Sequence, residues 1–218
     1  MYFHNIKKSL LNPVLNYMKY PFLAAGKIVG ICGSIGSGKS IVSDYLREFH
    51  YHVIDFDSIA KEIIARKETQ KALLAHFGTK DMNLVKLLAK KSQEKSFQLS
   101  QIVGFQSLHE VFTRTDKLFE QGEKIVFWES SMLIETGSFK TFSQNILVTA
   151  PLEETIKRIA LRDNKTEEEV SVLLKIQMSD DERKKLLKEH PSVLELDNSK
   201  TLEEFKEKLH DVISFLKV

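Results

Sequence analysis

The chain is poor in residues that could cross-link it. It has one cysteine among 218 residues, Cys32, so a disulfide framework or a zinc site made of several cysteines within the chain is excluded. Cys32 ends an apolar run, which favours a small buried hydrophobic side chain over a nucleophile or metal ligand. Stability must therefore come from a packed core, and a chain of this length buries about 70% of its unfolded surface.

Long hydrophobic runs and an excess of one charge are also missing. No uncharged apolar run approaches the ~18 residues that a membrane-spanning helix needs. The 32 basic and 30 acidic residues leave a net charge of +2 and are mixed along most segments, so no basic face for nucleic acid is indicated. We expect a cytoplasmic protein with no membrane or nucleic-acid partner, and small anionic ligands are left open.

Prolines are few, and their distribution sets the first residues apart. Two of the four, Pro13 and Pro21, lie within residues 1–26, which carry lysines but no acidic residue. We treat this segment as an amino-terminal extension that is poorly ordered or packs at the periphery. A signal peptide is the alternative, although polar residues and Pro13 interrupt its would-be apolar segment.

Three of the nine glycines fall in one short loop. Residues 33–40 match the pattern G-x-x-x-x-G-K-[ST], between an apolar run at 27–32 and a helical pattern that starts at residue 41. In such a loop, glycines let consecutive backbone N–H groups turn inward around a phosphate. The alternative is a plain glycine- and serine-rich turn. The predicted nucleotide-binding residues are Gly33, Ser34, Ile35, Gly36, Ser37, Gly38, Lys39, Ser40 and Ile41.

The loop pattern predicts ATP and Mg²⁺ as cofactors. Lys39 would reach the β- and γ-phosphates, and the Ser40 hydroxyl would hold Mg²⁺. The positive end of the following helix dipole adds to the attraction for phosphate. No G-x-G-x-x-G sequence is present, which disfavours a dinucleotide-binding fold.

Strand and helix patterns alternate along the chain. Short β-branched or apolar runs predict strands, and the long stretch 69–120 has helical periodicity throughout, as expected of a helical insertion. Capping-box spacing at Thr166, Ser179 and Thr201 predicts three helix starts. The pattern indicates an α/β fold with a parallel sheet covered on both faces. The predicted strands are 27–32, 51–54, 124–128, 145–149 and 193–196.

Ligands of such sheets bind at the carboxyl ends of the strands. The glycine-rich loop, Asp55, Asp57 and Glu129 all follow or end predicted strands, so this edge is the predicted active site. Asp57 or Asp55 can act as the base for an acceptor hydroxyl, while the alternative for Asp57 is a helix cap. Glu129 can lie next to Mg²⁺ or be an ordinary strand-end acid.

Two arginines add positive charge farther along. Arg158 and Arg162 are four residues apart, so they share one helix face and can grip phosphate oxygens. The alternative is a solvated basic face paired with Glu154. The charge-dense, short helices over 164–190 are compatible with a lid that excludes water.

These residues resemble the dephospho-CoA kinase family, whose members phosphorylate the ribose 3′-hydroxyl of dephospho-CoA with ATP. The resemblance implies a P-loop NTPase fold, a three-layer αβα core with a five-stranded parallel sheet, a helical acceptor-binding insertion and a lid. We accordingly assign 27–54, 123–151 and 190–218 to the core, 55–122 to the insertion and 152–189 to the lid. The resemblance is closest at 35–40, 53–60, 108–109, 133–135, 158–163, 176–179 and 197–198.

The resemblance also implies roles for individual residues. Asp57 matches the catalytic aspartate, and Lys39 with the lid residues Arg158 and Arg162 stabilises charge on the phosphoryl group. Dephospho-CoA would be bound with the help of Asp55, Lys61, which stands where the family has arginine, and His109.

Several positions depart from the family pattern. Ser34 replaces a glycine, Ile41 a threonine, and Glu110 the proline after the histidine. The Pro-Gly pair that normally follows the Ile-Ala helix is missing around 66–68, and 128–132 replace an Asp-x-Pro-Leu run. Most of these changes fall in parts that shape the acceptor pocket. Another small-molecule P-loop kinase, or a nucleotide-binding regulatory module without transfer activity, therefore remain the alternatives.

Overall fold

The structure, a computed structural model, describes residues 26–174 and 177–216. Apart from Gly26, the predicted amino-terminal extension lies outside the described residues. The described chain divides into two compact units. An α/β unit contains the residues up to Val53 and those from Glu123 onward, and a helical unit contains Ile54–Gly122. The lid predicted for 152–189 belongs to the α/β unit, and its separate motion stays a prediction.

The elements alternate as the sequence patterns predict. The first part of the chain forms β1 (Lys27–Cys32), α1 (Lys39–Glu48), β2 (His52–Asp55), α2 (Phe56–Ala65), α3 (Lys67–Phe77), α4 (Met82–Lys91), α5 (Gln93–Leu99), a π-helical turn (Ser100–Gly104) and α6 (Phe105–Glu120). The second part forms β3 (Ile125–Glu129), a 3₁₀ turn (Ser138–Thr141), β4 (Gln144–Thr149), α7 (Leu152–Asp163), α8 (Glu167–Leu174), α9 (Asp180–Leu187), β5 (Val193–Asp197) and α10 (Leu202–Leu216).

The sheet has five strands in the order β2-β3-β1-β4-β5. β1 pairs in parallel with both β3 and β4, and β4 pairs in parallel with β5. Because β1 lies between two strands that follow it much later in the chain, its carboxyl end is flanked by the ends of both. The predicted α/β fold with a parallel sheet is confirmed, and each predicted strand is within a residue of the observed one at both ends.

Helices on the sheet explain why the strands read as continuous apolar runs. All residues of β4, and all of β1 after Lys27, are buried. Burying one such aliphatic side chain contributes roughly 1.5–3 kcal/mol, so the sheet is a firm base for the loops at its edge. One core cluster joins the strands to α1 and α10 through Val29, Ile31, Val42, Leu46, Phe127, Ile146, Val148, Leu196, Phe205, Leu209, Val212 and Leu216.

Local signals also placed the helix starts correctly. Thr166, Ser179 and Thr201 each accept a hydrogen bond from the backbone N–H three residues later. In each case the glutamate at that position accepts a bond from the backbone N–H of the capping residue. These reciprocal bonds satisfy N–H groups that would otherwise be unpaired at a helix start.

The helical unit is built from α2 to α6, as the periodicity of 69–120 predicts. Its buried residues include Leu73, Phe77, Val85, Val111 and Phe119. None of the helices in the described residues has the length and hydropathy of a membrane span.

Candidate functional site

The glycine-rich loop connects the end of β1 to the start of α1. Gly33, Gly36 and Gly38 have φ values of 147°, 79° and 106°, in the region that favours glycine. A Cβ on Gly33 would lie 2.2 Å from the Val148 carbonyl oxygen, and one on Gly38 would lie 2.4 Å from Asn198 Nδ2. The loop therefore runs close against the ends of the neighbouring strands. Glycine is required at these positions because of the positive φ values and because there is no space for a Cβ.

Lys39, the first residue of α1, is held over the loop. Its Nζ donates to the carbonyl oxygens of Gly33 at 3.2 Å and Ser34 at 2.9 Å, and its residue is only 7% exposed. The first turn of α1 contains no acidic residue, so nothing there neutralises the positive end of the helix dipole. A buried ammonium group and a helix start thus meet at one point, which suits a phosphate group.

Ser40 and Glu129 are the residues suited to a magnesium ion. Ser40 is exposed on the first turn of α1, and Ser43, one turn later on the same helix, donates from Oγ to Glu129 Oε2 at 2.6 Å. Among the described residues no group of three or more His, Cys, Asp or Glu side chains is placed so that it could hold a metal ion. A hydroxyl and one carboxylate nevertheless fit Mg²⁺, which usually keeps several waters and takes other ligands from substrate phosphates.

Arg158 reaches the loop through Asn198. Its NH2 group donates to the Asn198 carbonyl oxygen at 3.3 Å, and Asn198 Nδ2 donates to the Ser37 carbonyl oxygen at 2.8 Å. α7 also packs on the loop, because a Cβ on Gly36 would lie 2.7 Å from Ile159. The sequence reasoning gave Asn198 no role in the site, although its position directly after β5 was a usable signal.

Arg162 has a different environment from Arg158. Its guanidinium donates to both carboxylate oxygens of Asp163, at 2.7 Å and 3.0 Å, and these bonds raise its pKa. Glu154, the partner considered for a solvated basic face, pairs instead with Lys157 at 3.4 Å. The structure thus brings Arg158 to the nucleotide loop and gives Arg162 an acidic neighbour on its own helix.

Cys32 is buried beside the loop and chemically quiet. Its Sγ donates to the Ile146 carbonyl oxygen at 3.3 Å. Burial is the main cause that raises its pKa to about 12, so the side chain is a thiol at neutral pH. This geometry agrees with a small hydrophobic residue rather than a nucleophile.

In the helical unit, the two candidate aspartates stand at different positions relative to a helix start. α2 begins at Phe56, and the Asp55 carboxylate caps it by accepting from the Asp57 N–H at 2.9 Å and from Ser58 Oγ at 2.5 Å. The alternative prediction that Asp57 caps this helix is therefore wrong. A cap must precede the first helical residue, and the cap is Asp55, two residues earlier. Asp57 lies exposed in the first turn, and Lys61 lies exposed one turn later on the same face.

His109 lies exposed on α6, which ion pairs connect to α2. Arg114 donates to Glu62 at 2.5 Å and to Glu110 at 3.0 Å, while Arg66 pairs with Glu110 at 3.3 Å. The hydrogen bond from Arg114 is the largest cause that lowers the pKa of Glu110. Glu110, one of the departures from the family pattern, thus joins α6 to Arg66, the residue that follows α2, a role that sequence reasoning missed.

Comparison with known proteins places this chain in a family. The model of the dephospho-CoA kinase family matches residues 27–204. A dephospho-CoA kinase from Fusobacterium nucleatum is 30% identical over 190 residues, which cover 84% of this chain and 94% of that protein. A dephospho-CoA kinase from Thermus thermophilus is 31% identical over 195 residues, which cover 87% of this chain and 91% of that protein.

Solved structures agree with the sequence relatives. The crystal structure of TT1252 from Thermus thermophilus aligns with a TM-score of 0.72 and 29% identity, over 87% of this chain and 97% of that one. The dephospho-CoA kinase from Campylobacter jejuni has a TM-score of 0.59 at 20% identity, which supports the fold alone. The family match spans the loop, the helical unit and α7 to α9, and the chain belongs to the dephospho-CoA kinase family.

Proposed function

We propose that this protein transfers the γ-phosphoryl group of ATP to the ribose 3′-hydroxyl of dephospho-CoA, giving coenzyme A and ADP. The observation that carries the proposal is the loop at 33–38 with Lys39 held over it, in a chain that matches the family over residues 27–204. We further propose that the reaction requires Mg²⁺ and takes place in the cytoplasm.

The nucleotide end of the reaction depends on backbone geometry and charge. We propose that the N–H groups of residues 33–41 surround the β-phosphate of ATP and that Lys39 exchanges its loop carbonyl partners for phosphate oxygens. Ser40 would hold the metal ion, together with Glu129, which accepts a hydrogen bond from Ser43 one turn along the same helix. When bound, Mg²⁺ would neutralise part of the charge on the β- and γ-phosphates.

The acceptor end needs a base and charged contacts. Asp57 takes the proton of the 3′-hydroxyl, the oxygen forms a bond to the γ-phosphorus, and the bond from that phosphorus to the β,γ-bridging oxygen breaks as ADP leaves. The exposed carboxylate supports this role, since the capping of α2 is performed by Asp55. In the proposal, Asp55, Lys61 and His109 contribute to binding of dephospho-CoA.

Arg158 and Arg162 would stabilise the charge of the phosphoryl group in flight. Support for Arg158 is its link to the loop through the Asn198 carbonyl oxygen. For Arg162 the proposal requires that its bonds to Asp163 give way to phosphate, since the guanidinium donates to both oxygens of that carboxylate.

A coupled ADP-release assay with product mass and phosphate position tests the proposal. The substrates are ATP, Mg²⁺ and dephospho-CoA, with adenosine and nucleoside monophosphates as competing acceptors. Asp57→Asn is expected to lower turnover by about 10² to 10⁴, the range of general base catalysis, and to leave ATP binding intact. Asp44→Asn, which changes an exposed aspartate on α1, is the control and should keep wild-type turnover.

Three other results would contradict parts of the proposal. Phosphorylation of a control acceptor in preference to dephospho-CoA would make the protein another small-molecule kinase. ATP binding without transfer to any acceptor would indicate a regulatory module. Normal turnover by the Asp57→Asn variant would remove Asp57 from the mechanism.

A further inference from the structure

A fully buried guanidinium lies outside the residues to which the proposed reaction gives a role. Arg183, on α9, has no solvent exposure, and its NH2 group donates to Glu135 Oε1 at 2.6 Å. Within the described residues, Arg183 Nε and Glu135 Oε2 have no hydrogen-bond partner. A buried and incompletely satisfied ion pair contributes little net stability, so its importance lies in the side chains that it holds in place.

The second partner of Arg183 is Asp180, the first residue of α9. Arg183 NH1 donates to Asp180 Oδ1 at 3.2 Å. The same oxygen accepts from Ser34 Oγ at 3.4 Å, and Oδ2 accepts from the Ala150 N–H at 3.3 Å. One carboxylate thus connects α9, the nucleotide loop and the residue that follows β4.

A neighbouring side chain holds the next residue of the loop. Gln177 Oε1 accepts from the Ile35 N–H at 3.1 Å. The capping box of Ser179 and Glu182 fixes the start of α9 at Asp180, three residues after Gln177. Two consecutive loop residues, Ser34 and Ile35, are therefore held by one short segment that the buried ion pair anchors.

We propose that Asp180 is a positioning residue that sets the conformation of the nucleotide loop through Ser34, with Arg183 and Glu135 holding its carboxylate in place. The proposal rests on the proposed use of this loop for ATP. The anchor acts through the Ser34 hydroxyl, at the loop and away from Asp57, so it acts on ATP affinity rather than on the chemical step.

The test compares two adjacent aspartates of α9. Asp180 and Asp181 carry the same charge and share the first turn, but Asp181 is exposed. Asp180→Ala is expected to raise the dissociation constant of ATP, measured by calorimetry, about tenfold, because bonds to the loop and to Ala150 are lost. At saturating ATP its turnover should stay within about twofold of wild type, since Lys39 and Asp57 are intact. Asp181→Ala should match wild type in both.

Because Asp180→Ala also removes a partner of buried Arg183, a second variant separates positioning from stability. Ser34→Ala removes only the hydroxyl and should weaken ATP binding about threefold at an unchanged melting temperature. The Ser34→Ala/Asp180→Ala double variant should bind ATP as tightly as the Asp180→Ala variant does, because either change removes the same hydrogen bond between Ser34 and Asp180. Asp180→Asn, which keeps an acceptor oxygen, should recover part of the affinity.

The outcomes separate this proposal from the proposed function. Equal ATP affinities of the Asp180→Ala and Asp181→Ala variants, or effects of Ser34→Ala and Asp180→Ala that simply add, would overturn the positioning role. Wild-type protein that binds ATP but forms no coenzyme A would overturn the proposed function while the positioning result stands. Wild-type protein that binds no ATP would overturn both.

Discussion

The nucleotide loop and the predicted acceptor residues are built in different ways. The loop lies between buried strands, uses backbone geometry that glycine favours, and holds a lysine that is 7% exposed. The acceptor candidates Asp57, Lys61 and His109 are exposed side chains on helices. Apart from Lys39 and Ser34, the loop depends on its backbone, so a changed side chain there acts mainly by filling space, whereas a changed side chain among the acceptor candidates alters the chemistry directly.

The contacts that hold the two regions in place also differ, since those of the loop are more deeply buried than the partly exposed contacts of the acceptor helices. Loop residues contact the ends of β4 and β5 and are held by a segment anchored on the buried pair of Arg183 and Glu135. α2 and α6 are joined by the half-exposed pair of Arg114 with Glu62, and Glu110 pairs with the same arginine within α6. Partly exposed pairs contribute little stability, so loss of one of them should cost less than loss of a partner of the buried Arg183.

The sharpest test of the comparison places the same substitution in both regions. Gly33→Ala would bring a Cβ to 2.2 Å from the Val148 carbonyl oxygen, a backbone atom that cannot move aside, at a φ of 147°. Backbone strain of about 1–3 kcal/mol and a similar cost of overpacking should add. We expect the variant to lose detectable ATP binding and to melt at a lower temperature.

Gly78→Ala is the matched control in the helical unit. Gly78 also has a positive φ, 70°, but a Cβ there meets no atom within 4 Å. Its cost should be the intrinsic one of about 1–2 kcal/mol, with ATP affinity unchanged. If the two variants bound ATP equally well, the loop would not be the rigid element that its geometry indicates.

A second test separates capping from chemistry within the helical unit. Asp55→Ala removes the cap of α2 and should lower the free energy of unfolding by about 0.5–2 kcal/mol in denaturant titrations. Asp57→Ala should leave that free energy nearly unchanged and lower turnover instead. A stability loss at Asp57 larger than at Asp55 would show that the two carboxylates have been assigned the wrong way round.

Local signals in the sequence were enough for much of the fold. The strands and the capping boxes could be predicted because both depend on residues close together in the chain. The observed cap of α2 shows the limit of such signals. Asp55 and Asp57 are both aspartates and equally suited to capping, and only the observed start of the helix at Phe56 identifies Asp55 as the cap.

Long-range partners were out of reach of the same reasoning. Arg183 and Glu135 are 48 residues apart, and Ser34 and Asp180 are 146 apart. Each is an ordinary charged or polar residue in the sequence, and its role depends on which strand ends the topology brings together. Family resemblance marked Leu133-Ile134-Glu135 as matching, but gave Glu135 no partner.

The ion pairs of the helical unit make a pH-dependent prediction. The pKa of Glu110 is lowered in the folded protein, chiefly by the hydrogen bond from Arg114. Ionised Glu110 therefore stabilises the fold at pH values above the ordinary carboxyl pKa, and this stabilisation is lost as the pH falls through the pKa of the folded protein. Glu110→Gln should therefore cost stability at pH 7, by less than about 1 kcal/mol because Arg114 is half-exposed.

Denaturant titrations from pH 7 down to pH 3 measure this effect. The difference between wild type and Glu110→Gln should shrink below the ordinary pKa of 4.5 and vanish at the acid end. In an Arg114→Met background the difference should be smaller at pH 7, because the main cause of the lowered pKa is gone. A difference that grows towards acid pH would have the wrong sign for this ion pair.

The smallest expected effect concerns Lys61, where the family pattern has arginine. A lysine is a point charge, whereas a guanidinium can bind a phosphate with two parallel hydrogen bonds. If Lys61 contacts a phosphate of dephospho-CoA, Lys61→Arg should lower the KM for that substrate by about two- to fivefold and leave the KM for ATP unchanged. Lys67→Arg, at an exposed lysine of α3, is the control. An equal change in both KM values would place Lys61 outside the acceptor site, and the chemical difference between the two regions would then rest on Asp57 and His109.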